Sequence, residues 1–386
     1  MSATGIEAGR DDTAQTAGAS VLKHDRRKKL LAAMAASELD AVVLVPGANF
    51  RFLTGGVFPL RERPTLLVVT ADGDAFAIVP GLEEPSWQKL SIEADVALWT
   101  DAEGYGPAFR RMFAGDWSGR RVGVEGQLMR AFELMALEAC VPGAAVIDAH
   151  EEISTIRLAK DPDEIAALRR AIALTEAALA ETIRHVRVDM SEREIQTRLL
   201  MESMATGSEG LAFPPTVAGG PNSAMSHAKA GDYRLQRGDV LLFDFGLAWE
   251  GYRADITRTF FVGDAAAADL DLYRVVQEAN ELGRRSARPG LAAGTLDEIV
   301  TGFLKGSAYA DQVRHRTGHG LGLEIHEDPY IQRGVARALQ AGNVFTIEPG
   351  LYMPHRIGIR IEDDMLVTES GAESLTSFPR DPVVLG

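Results

Sequence analysis

Two aspartates lie inside a stretch that otherwise reads as a pair of apolar strands. The stretch is VLLFDFGLAWEGYRADITRTFFVG, residues 240–263, and Asp244 and Asp255 lie on either side of a tight turn. A turn at residues 249–250 would place them directly opposite each other, and a turn at 250–251 would place them diagonally; in both registers they share a face, about 5–8 Å apart. Two carboxylates on one buried face repel each other unless a proton or a cation lies between them. The pair therefore favours a metal-binding hairpin over two solvated strand-edge acids.

Two glutamates end apolar runs later in the chain. NVFTIEPG places Glu348 after one strand-like run, and GIRIEDD places Glu362 after another. A short connection joins the two runs, so these carboxylates can also converge. Asp363 and Asp364 follow Glu362, but side chains alternate along a strand, which would put Asp363 on the opposite face. Neither is included in the expected cluster.

A histidine flanked by glycines completes the expected cluster. In RTGHGLGLEIHED, residues 316–328, His319 lies among Gly318, Gly320 and Gly322, although glycine costs about 1 kcal/mol in regular structure. These glycines would let the backbone bring the imidazole to a crowded site and leave room for a substrate. Carboxylates and imidazole suit manganese, zinc, cobalt or iron. Five such ligands are too many for one zinc ion but suit two divalent ions about 3.5–4 Å apart. The predicted ligands are Asp244, Asp255, His319, Glu348 and Glu362.

Three further histidines are candidates for the substrate side of this site, and one arginine is a candidate to support a ligand. His227 lies in the loop GPNSAMSHAKAG, while His315 and His326 flank His319. Each alone is more often packed or solvated, but neutral imidazoles beside a metal centre can donate to a substrate carbonyl oxygen. Arg360 lies two residues before Glu362 on the same strand face and would pair with a ligand carboxylate, holding it ionised.

Composition restricts the class of protein. A chain of 386 residues with 46% hydrophobic and 25% charged residues is typical of a two-domain globular protein. A net charge of −15 argues against nucleic-acid or anionic-membrane partners. No apolar run is long enough for a membrane span. A single cysteine, Cys140, fits a reducing compartment and a cytoplasmic location.

The chain divides into a tail and two domains. Residues 1–20 read as a disordered tail without a secretion signal, and residues 21–157 as an N-terminal α/β domain. Residues 158–386 form an α+β domain with a mainly antiparallel sheet. Near the boundary, Asp161-Pro162 is a helix start. A second helix opens with a capping box formed by Ser191 and Glu194.

The predicted ligand set resembles that of the pita-bread metallopeptidases in order and spacing. That family includes Xaa-Pro aminopeptidase (aminopeptidase P), prolidase, methionine aminopeptidase and creatinase. The segments DFG…GYRADITRTF, HRTGHGLGLEIHE, FTIEPGLY and GIRIEDDMLVT are similar to its motifs. NFRFLTG and IVPGLEE are similar to the N-terminal domain of creatinase and prolidase, which methionine aminopeptidases lack. The resemblance implies a creatinase-like α/β domain followed by a pita-bread metallohydrolase domain, α+β overall.

The resemblance also implies a role for each ligand. Asp244 would bind one metal ion, and His319 and Glu348 the other, while Asp255 and Glu362 would bridge the two ions. Glu348 would in addition carry a proton during hydrolysis. The implied substrate-facing histidines are His227, His315 and His326.

The implied enzyme is a Xaa-Pro dipeptidase or Xaa-Pro aminopeptidase that hydrolyses the amide bond before proline in dipeptides or short peptides. Its cofactors would be two divalent metal ions, first of all Mn²⁺, with Co²⁺, Zn²⁺ or Fe²⁺ as alternatives. Its partners would be a small proline-containing peptide and a second copy of the chain in a cytoplasmic homodimer.

Two alternatives remain open from the sequence. Ser226 precedes His227 where Xaa-Pro peptidases commonly have proline, which leaves room for a non-peptide substrate such as an osmolyte, a sulfonium or an amidine compound. A non-catalytic binding module is disfavoured because all five ligands are present. The choice between dipeptidase and aminopeptidase is also open. Arg333 or Arg337 is a candidate to hold a dipeptide's terminal carboxylate.

Overall fold

A computed structural model describes residues 25–90, 92–225 and 228–386. The described residues form two compact units, which divide between Arg157 and Leu158. The expected tail at residues 1–20 and the candidate residue His227 both lie outside the described residues.

The N-terminal unit is built on a six-stranded mixed sheet in the order β4-β3-β2-β1-β5-β6. Its strands are β1 (Ala41–Leu44), β2 (Leu66–Thr70), β3 (Ala75–Pro80), β4 (Asp95–Trp99), β5 (Arg121–Val124) and β6 (Ala145–Asp148). Its helices are α1 (25–36), α2 (Ala48–Thr54), α3 (Glu84–Trp87), α4 (Gly106–Met112), α5 (Ala131–Cys140) and α6 (His150–Ser154). The apolar run AVVL forms the fully buried central strand β1, as a continuous hydrophobic run predicts.

The C-terminal unit contains four sheets within its described residues. Their strand orders are β11-β10-β7, β20-β12-β9-β8, β14-β13-β15-β18-β19 and β16-β17. The strands are β7 (Gly210–Leu211), β8 (Thr216–Gly219), β9 (Val240–Phe245), β10 (Leu247–Trp249), β11 (Tyr252–Arg253), β12 (Ile256–Val262), β13 (Gly318–Gly320), β14 (Glu327–Ile331), β15 (Val344–Ile347), β16 (Gly350–Met353), β17 (Ile357–Arg360), β18 (Asp363–Val367), β19 (Ala372–Ser374) and β20 (Val384–Leu385). Apart from the parallel pair β12–β20, neighbouring strands are antiparallel.

Four long helices accompany these sheets. They are α7 (Pro162–Ile183), α8 (Glu192–Ala205), α9 (Ala267–Ser286) and α10 (Ala293–Lys305). Asp161 caps α7 by accepting from the Glu164 N–H, and Ser191 caps α8 by accepting from the Glu194 N–H. Both helix starts are confirmed. None of the helices in the described ranges is long and apolar enough to cross a membrane.

The register of the β9–β12 hairpin is the diagonal one. Trp249 pairs with Tyr252, and the turn residues Glu250 and Gly251 have φ values of 51° and 82°. Positive φ at both central positions is the conformation of the tight turns that join twisted antiparallel strands. Asp244 consequently faces Thr257 across the ladder, and Asp255 is its diagonal neighbour.

Candidate metal centre

Three of the predicted ligands converge on one buried point. Oxygen atoms of Asp255 and Glu362 and a ring nitrogen of His319 lie within 4.8 Å of one another. The three residues come from different places: Asp255 precedes β12, His319 is the middle residue of β13, and Glu362 precedes β18. Each is at most 5% exposed. Asp255 adjoins a strand of one sheet, and His319 and Glu362 adjoin strands of another. Contact between two sheets, rather than a local motif, therefore brings together residues 43 to 107 positions apart.

The imidazole of His319 is held with a lone pair facing acids. Nδ1 lies 3.1 Å from the Gly320 carbonyl oxygen, so Nδ1 carries the proton and donates it there. Burial, followed by the charge of His326, lowers the pKa of His319 to about 3. Its unprotonated Nε2 lies 3.7 Å from Oδ2 of Asp255 and 3.5 Å from Oε1 of Glu348. A lone pair opposite two carboxylate oxygens is not an ion pair; it is an arrangement that a cation completes.

The carboxylates at this point are poorly compensated by the described protein groups. Burial and the charges of Glu362 and Asp244 raise the pKa of Asp255 well above its ordinary value. Burial and the charges of Glu348 and Asp244 do the same to the pKa of Glu362. Burial also raises the pKa of Glu348 to about 7, although the charge of Arg360 opposes this. Such a cluster needs either protons or cations to be stable.

An oxygen atom of Asp255 gives a second indication that this cluster needs a bound proton or cation. Its Oδ1 is buried and has no hydrogen-bond partner among the described residues. Buried polar atoms are nearly always paired, so such an atom calls for a bound species. With oxygen and imidazole donors and no thiolate, the set fits a hard or borderline divalent cation. The residues present therefore fit a metal centre.

Asp244 lies at the edge of this cluster in contact with an arginine. Nη2 of Arg360 donates to Oδ2 of Asp244, and Nε of Arg360 donates to Oγ1 of Thr257 at 2.9 Å. Burial alone would lower the pKa of Arg360, but Tyr352 and the acids Asp244 and Glu362 raise it well above its ordinary value. The guanidinium is therefore a fixed positive charge beside the carboxylates.

Several residues at the site were not foreseen from the sequence. Oγ1 of Thr257 donates to Oε2 of Glu362 at 2.5 Å, and Oγ1 of Thr346 lies 3.4 Å from Oε1 of Glu348. Oδ2 of Asp364 accepts from the Asp255 N–H at 3.2 Å. Strand alternation is the sequence signal for Asp364, since it places Asp364 on the face of Glu362.

Asp363 lies apart from the cluster, in an arginine-rich pocket. Its Oδ1 is 2.7 Å from Nη2 of Arg258, and its Oδ2 is 2.7 Å from Nε of Arg380. Burial would raise the pKa of Asp363, but the two arginines lower it. The same guanidinium of Arg258 donates to the Glu362 carbonyl oxygen at 2.6 Å, so this pair braces the backbone next to a cluster residue.

His315 is engaged within the protein at both ring nitrogens. Nδ1 lies 2.7 Å from the Arg316 carbonyl oxygen, and Nε2 lies 2.9 Å from the Tyr352 hydroxyl. Burial, followed by the charge of Arg360, lowers the pKa of His315 to about 4. Tyr352 is a further site residue that the sequence did not single out.

His326 lies beside His319. Their ring centroids are 4.2 Å apart with an interplanar angle of 88°, an edge-to-face contact. The two arginines considered for a substrate carboxylate are in surface contacts: Nε of Arg333 is 3.9 Å from Glu298, and Nη2 of Arg337 is 4.0 Å from Asp328.

The glycines around His319 admit neighbouring protein atoms. A Cβ on Gly318 would lie 1.9 Å from the Thr346 carbonyl oxygen, and one on Gly320 would lie 2.4 Å from the Asp328 carbonyl oxygen. A Cβ on Gly322 would lie 2.7 Å from Oε1 of Glu327. The sequence suggested close approach at these positions. The space is taken by the flanking strands β15 and β14, not by room kept for a substrate.

Comparison with known proteins agrees with this fold and site. The sequence profile of metallopeptidase family M24 matches residues 166–369, and that of the creatinase/prolidase N-terminal domain matches residues 26–159. The chain therefore belongs to metallopeptidase family M24, with a creatinase-type N-terminal domain, and it is an enzyme of this kind. Divalent metal ions are the cofactors that this family implies.

Individual relatives match over nearly their whole length. The chain is 30% identical over 362 residues to the Xaa-Pro dipeptidase of Pyrococcus horikoshii, covering 93% of this chain and 99% of that protein. It is 32% identical over 359 residues to the Xaa-Pro dipeptidase of Pyrococcus furiosus, covering 92% and 99%. The crystal structure of recombinant prolidase from Thermococcus sibiricus superposes with a TM-score of 0.88 at 30% identity, covering 94% of this chain and 99% of that one. These likenesses favour a proline-peptide hydrolase over the non-peptide alternative.

Proposed function

We propose that this protein is a dinuclear metal-dependent dipeptidase that hydrolyses the Xaa-Pro amide bond. The observation that carries the proposal is the unprotonated Nε2 of His319 facing the oxygen atoms of Asp255 and Glu348 at 3.7 and 3.5 Å. The dipeptide as substrate is supported by relatives named Xaa-Pro dipeptidase.

The proposed metal ligands are the five residues of the sequence prediction. Asp255, His319 and Glu362 form the buried core of the set. Oε1 of Glu348 lies 3.5 Å from Nε2 of His319. Asp244 contacts the guanidinium of Arg360, which lies beside these residues. We assign manganese as the physiological metal. When bound, a pair of divalent ions supplies a water of lowered pKa and polarises the scissile carbonyl.

The protein's own groups would handle the proton and the orientation of the substrate. Glu348, whose Oε1 lies 3.5 Å from Nε2 of His319, would accept the proton of the attacking water and return it to the proline nitrogen of the leaving group. His326, in contact with the His319 ring, and His227 would donate to the substrate carbonyl oxygen. Arg360 would keep Asp244 ionised, and His315 would position Tyr352.

A substrate panel with metal titration tests this proposal. Protein stripped with a chelator should be inactive, and activity on Ala-Pro should return as about two equivalents of Mn²⁺ bind, measured by calorimetry alongside proline release. Ala-Pro should be hydrolysed faster than Ala-Pro-Ala, and Ala-Ala should be a poor substrate. Full activity after chelation, or no hydrolysis of Ala-Pro with both equivalents bound, would contradict the proposal.

The assembly and location complete the proposal. We assign a homodimer, as the family resemblance implies, and a cytoplasmic location, which the single cysteine fits. Light scattering of the purified chain measures the first, and a mass of one chain, 41.6 kDa, would contradict it.

A further inference from the structure

One buried carboxylate outside the metal cluster holds both ends of a loop. Glu192, the first residue of α8, is 1% exposed. Its Oε1 accepts from the Gly219 N–H at 2.8 Å and from Nδ2 of Asn222 at 3.0 Å. Its Oε2 accepts from the Gly231 N–H at 2.9 Å. The segment between these glycines is here named the 219–231 loop.

The carboxylate is satisfied by the loop alone. Among the described residues Glu192 makes no ion pair, and its side-chain partners are the three N–H donors of the loop. A buried carboxylate is costly unless it is hydrogen-bonded, and hydrogen bonds to an ionised group are about twice as strong as neutral ones. Loop and carboxylate therefore depend on each other.

Helix capping does not explain this side chain. The cap of α8 is made by Ser191 and Glu194, since the Ser191 N–H and hydroxyl both donate to Oε2 of Glu194, at 2.7 and 2.9 Å. Glu194 is 54% exposed, as a surface capping residue usually is. Two glutamates in one helical turn thus have different partners: Glu192 is buried and bonds to the 219–231 loop, whereas the exposed Glu194 bonds to Ser191 and lies 3.5 Å from Nη1 of Arg234.

The described part of the loop contacts strand β17, and β17 ends at a residue of the candidate metal centre. Residues Gly220–Ala224 form a short 3₁₀ helix, and Oγ of Ser223 accepts from the Gly358 N–H of β17 at 2.8 Å. A Cβ on Gly358 would lie 2.0 Å from the Ser223 carbonyl oxygen, so the two backbones are in direct contact. Strand β17 ends at Arg360, whose guanidinium contacts Asp244.

We propose that Glu192 is a positioning residue for the active site, acting through the 219–231 loop on β17 and Arg360. The kinetic consequence rests on the dipeptidase activity proposed above, whereas the consequence for the loop does not. Because Ser223 of this loop contacts Gly358 of β17, a loop that moves would disturb the support of Arg360.

Local proteolysis of a matched pair of variants tests the effect on the loop. Glu192→Gln keeps the shape but turns an amide N–H₂ toward a backbone N–H, while Glu194→Gln keeps a capping residue at the same turn. Lys229 is exposed and offers trypsin one site inside the loop. In full-length, Mn²⁺-loaded protein well below its melting temperature, E192Q should be cut after Lys229 about tenfold faster than wild type, and E194Q at nearly the wild-type rate.

Steady-state kinetics test the effect on the site. For E192Q, kcat/KM for Ala-Pro should fall by about tenfold to a hundredfold, with the Mn²⁺ content unchanged; E194Q should match wild type. Faster cleavage at every trypsin site alike, an unchanged rate at Lys229, or unchanged kcat/KM would each overturn the proposal. If wild type does not hydrolyse Ala-Pro, the dipeptidase proposal fails, and cleavage at Lys229 still decides the role of Glu192 in the loop.

A second variant covers the case in which E192Q does not fold. Asn222→Ala removes one of the three hydrogen bonds and leaves the carboxylate in place. Selective acceleration of cleavage after Lys229 in N222A supports the proposal, and a wild-type rate there overturns it.

Discussion

The hydroxyl of Tyr352 lies between His315 and Arg360, 2.9 Å from Nε2 of the histidine and 2.7 Å from Nη1 of the arginine. Because Arg360 can only donate, the single hydroxyl proton must go to His315. Nε2 is therefore an acceptor, and His315 carries its proton on Nδ1, facing the Arg316 carbonyl oxygen. One phenol thus sets the tautomer of a histidine and the direction of a guanidinium that contacts Asp244.

Replacing Tyr352 with phenylalanine should impair catalysis more than it impairs folding. The change leaves Arg360 with one unpaired N–H and His315 without its donor, so kcat/KM should fall by about tenfold to a hundredfold. Tyr273→Phe is the control, because that hydroxyl is similarly buried and bonds to the Arg380 carbonyl oxygen instead. Both variants should lose about 1–2 kcal/mol in denaturant unfolding. Equal loss of activity in Y352F and Y273F would show that removing any buried tyrosine hydroxyl impairs the enzyme, and it would contradict a specific role for Tyr352.

Local features of the fold could be predicted from the sequence because their causes are local. The helix starts at Asp161 and Ser191 follow from side chains that accept backbone N–H groups three residues ahead. The two-domain α+β architecture follows from the alternation of strand and helix patterns together with the family motifs. The sequence is compatible with either of two hairpin turns and therefore does not decide the register. Positive φ at Glu250 and Gly251 decides it.

The supporting contacts of the site could not be predicted because they join distant strands. Thr257 and Glu362 are 105 positions apart, and His315 and Tyr352 are 37 apart. A threonine inside a strand and a tyrosine after an apolar run look like ordinary core residues. The direction of the His315 ring depends on Tyr352, so a substrate-facing role for that histidine could not be tested by spacing alone.

Gly318→Ala should disrupt the centre from its backbone. The added Cβ would lie 1.9 Å from the Thr346 carbonyl oxygen, and β13 would have to move away from β15. We expect a loss of about 3 kcal/mol or more in unfolding free energy. Gly302→Ala, at an exposed position of helix α10 where the new Cβ has no atom outside its own helix backbone within 4 Å, should instead gain about 0.5–1 kcal/mol. Similar stability for both variants in urea titrations would contradict this account.

His315 should make the folded state less stable in acid. Burial lowers its pKa from 6.5 to about 4, so between these values the unfolded chain binds a proton that the folded chain does not. This stabilising contribution is complete above pH 6.5 and is lost as the pH falls toward 4.

His315→Gln removes that titration and isolates its effect. Lowering the pH from 7.5 to 4.5 should cost wild type about 2 kcal/mol more unfolding free energy than it costs H315Q. Denaturant titrations of the metal-free proteins at the two pH values measure the difference. An equal loss of unfolding free energy in both proteins would mean that His315 takes up its proton between pH 7.5 and pH 4.5 in the folded protein just as it does in the unfolded chain.

Thr257→Val should weaken the metal centre while keeping the core filled. The hydroxyl of Thr257 donates to Oε2 of Glu362 and accepts from Nε of Arg360, so it orients one proposed ligand and the guanidinium beside another. An isosteric valine removes both contacts, and Mn²⁺ affinity measured by calorimetry should fall by about tenfold to a hundredfold. Thr182→Val, an equally buried hydroxyl that bonds within helix α7, should bind Mn²⁺ as wild type does. If both variants bind alike, Glu362 is held by its backbone alone, and the arginine of β12, Arg258, which donates to its carbonyl oxygen, is the residue to change next.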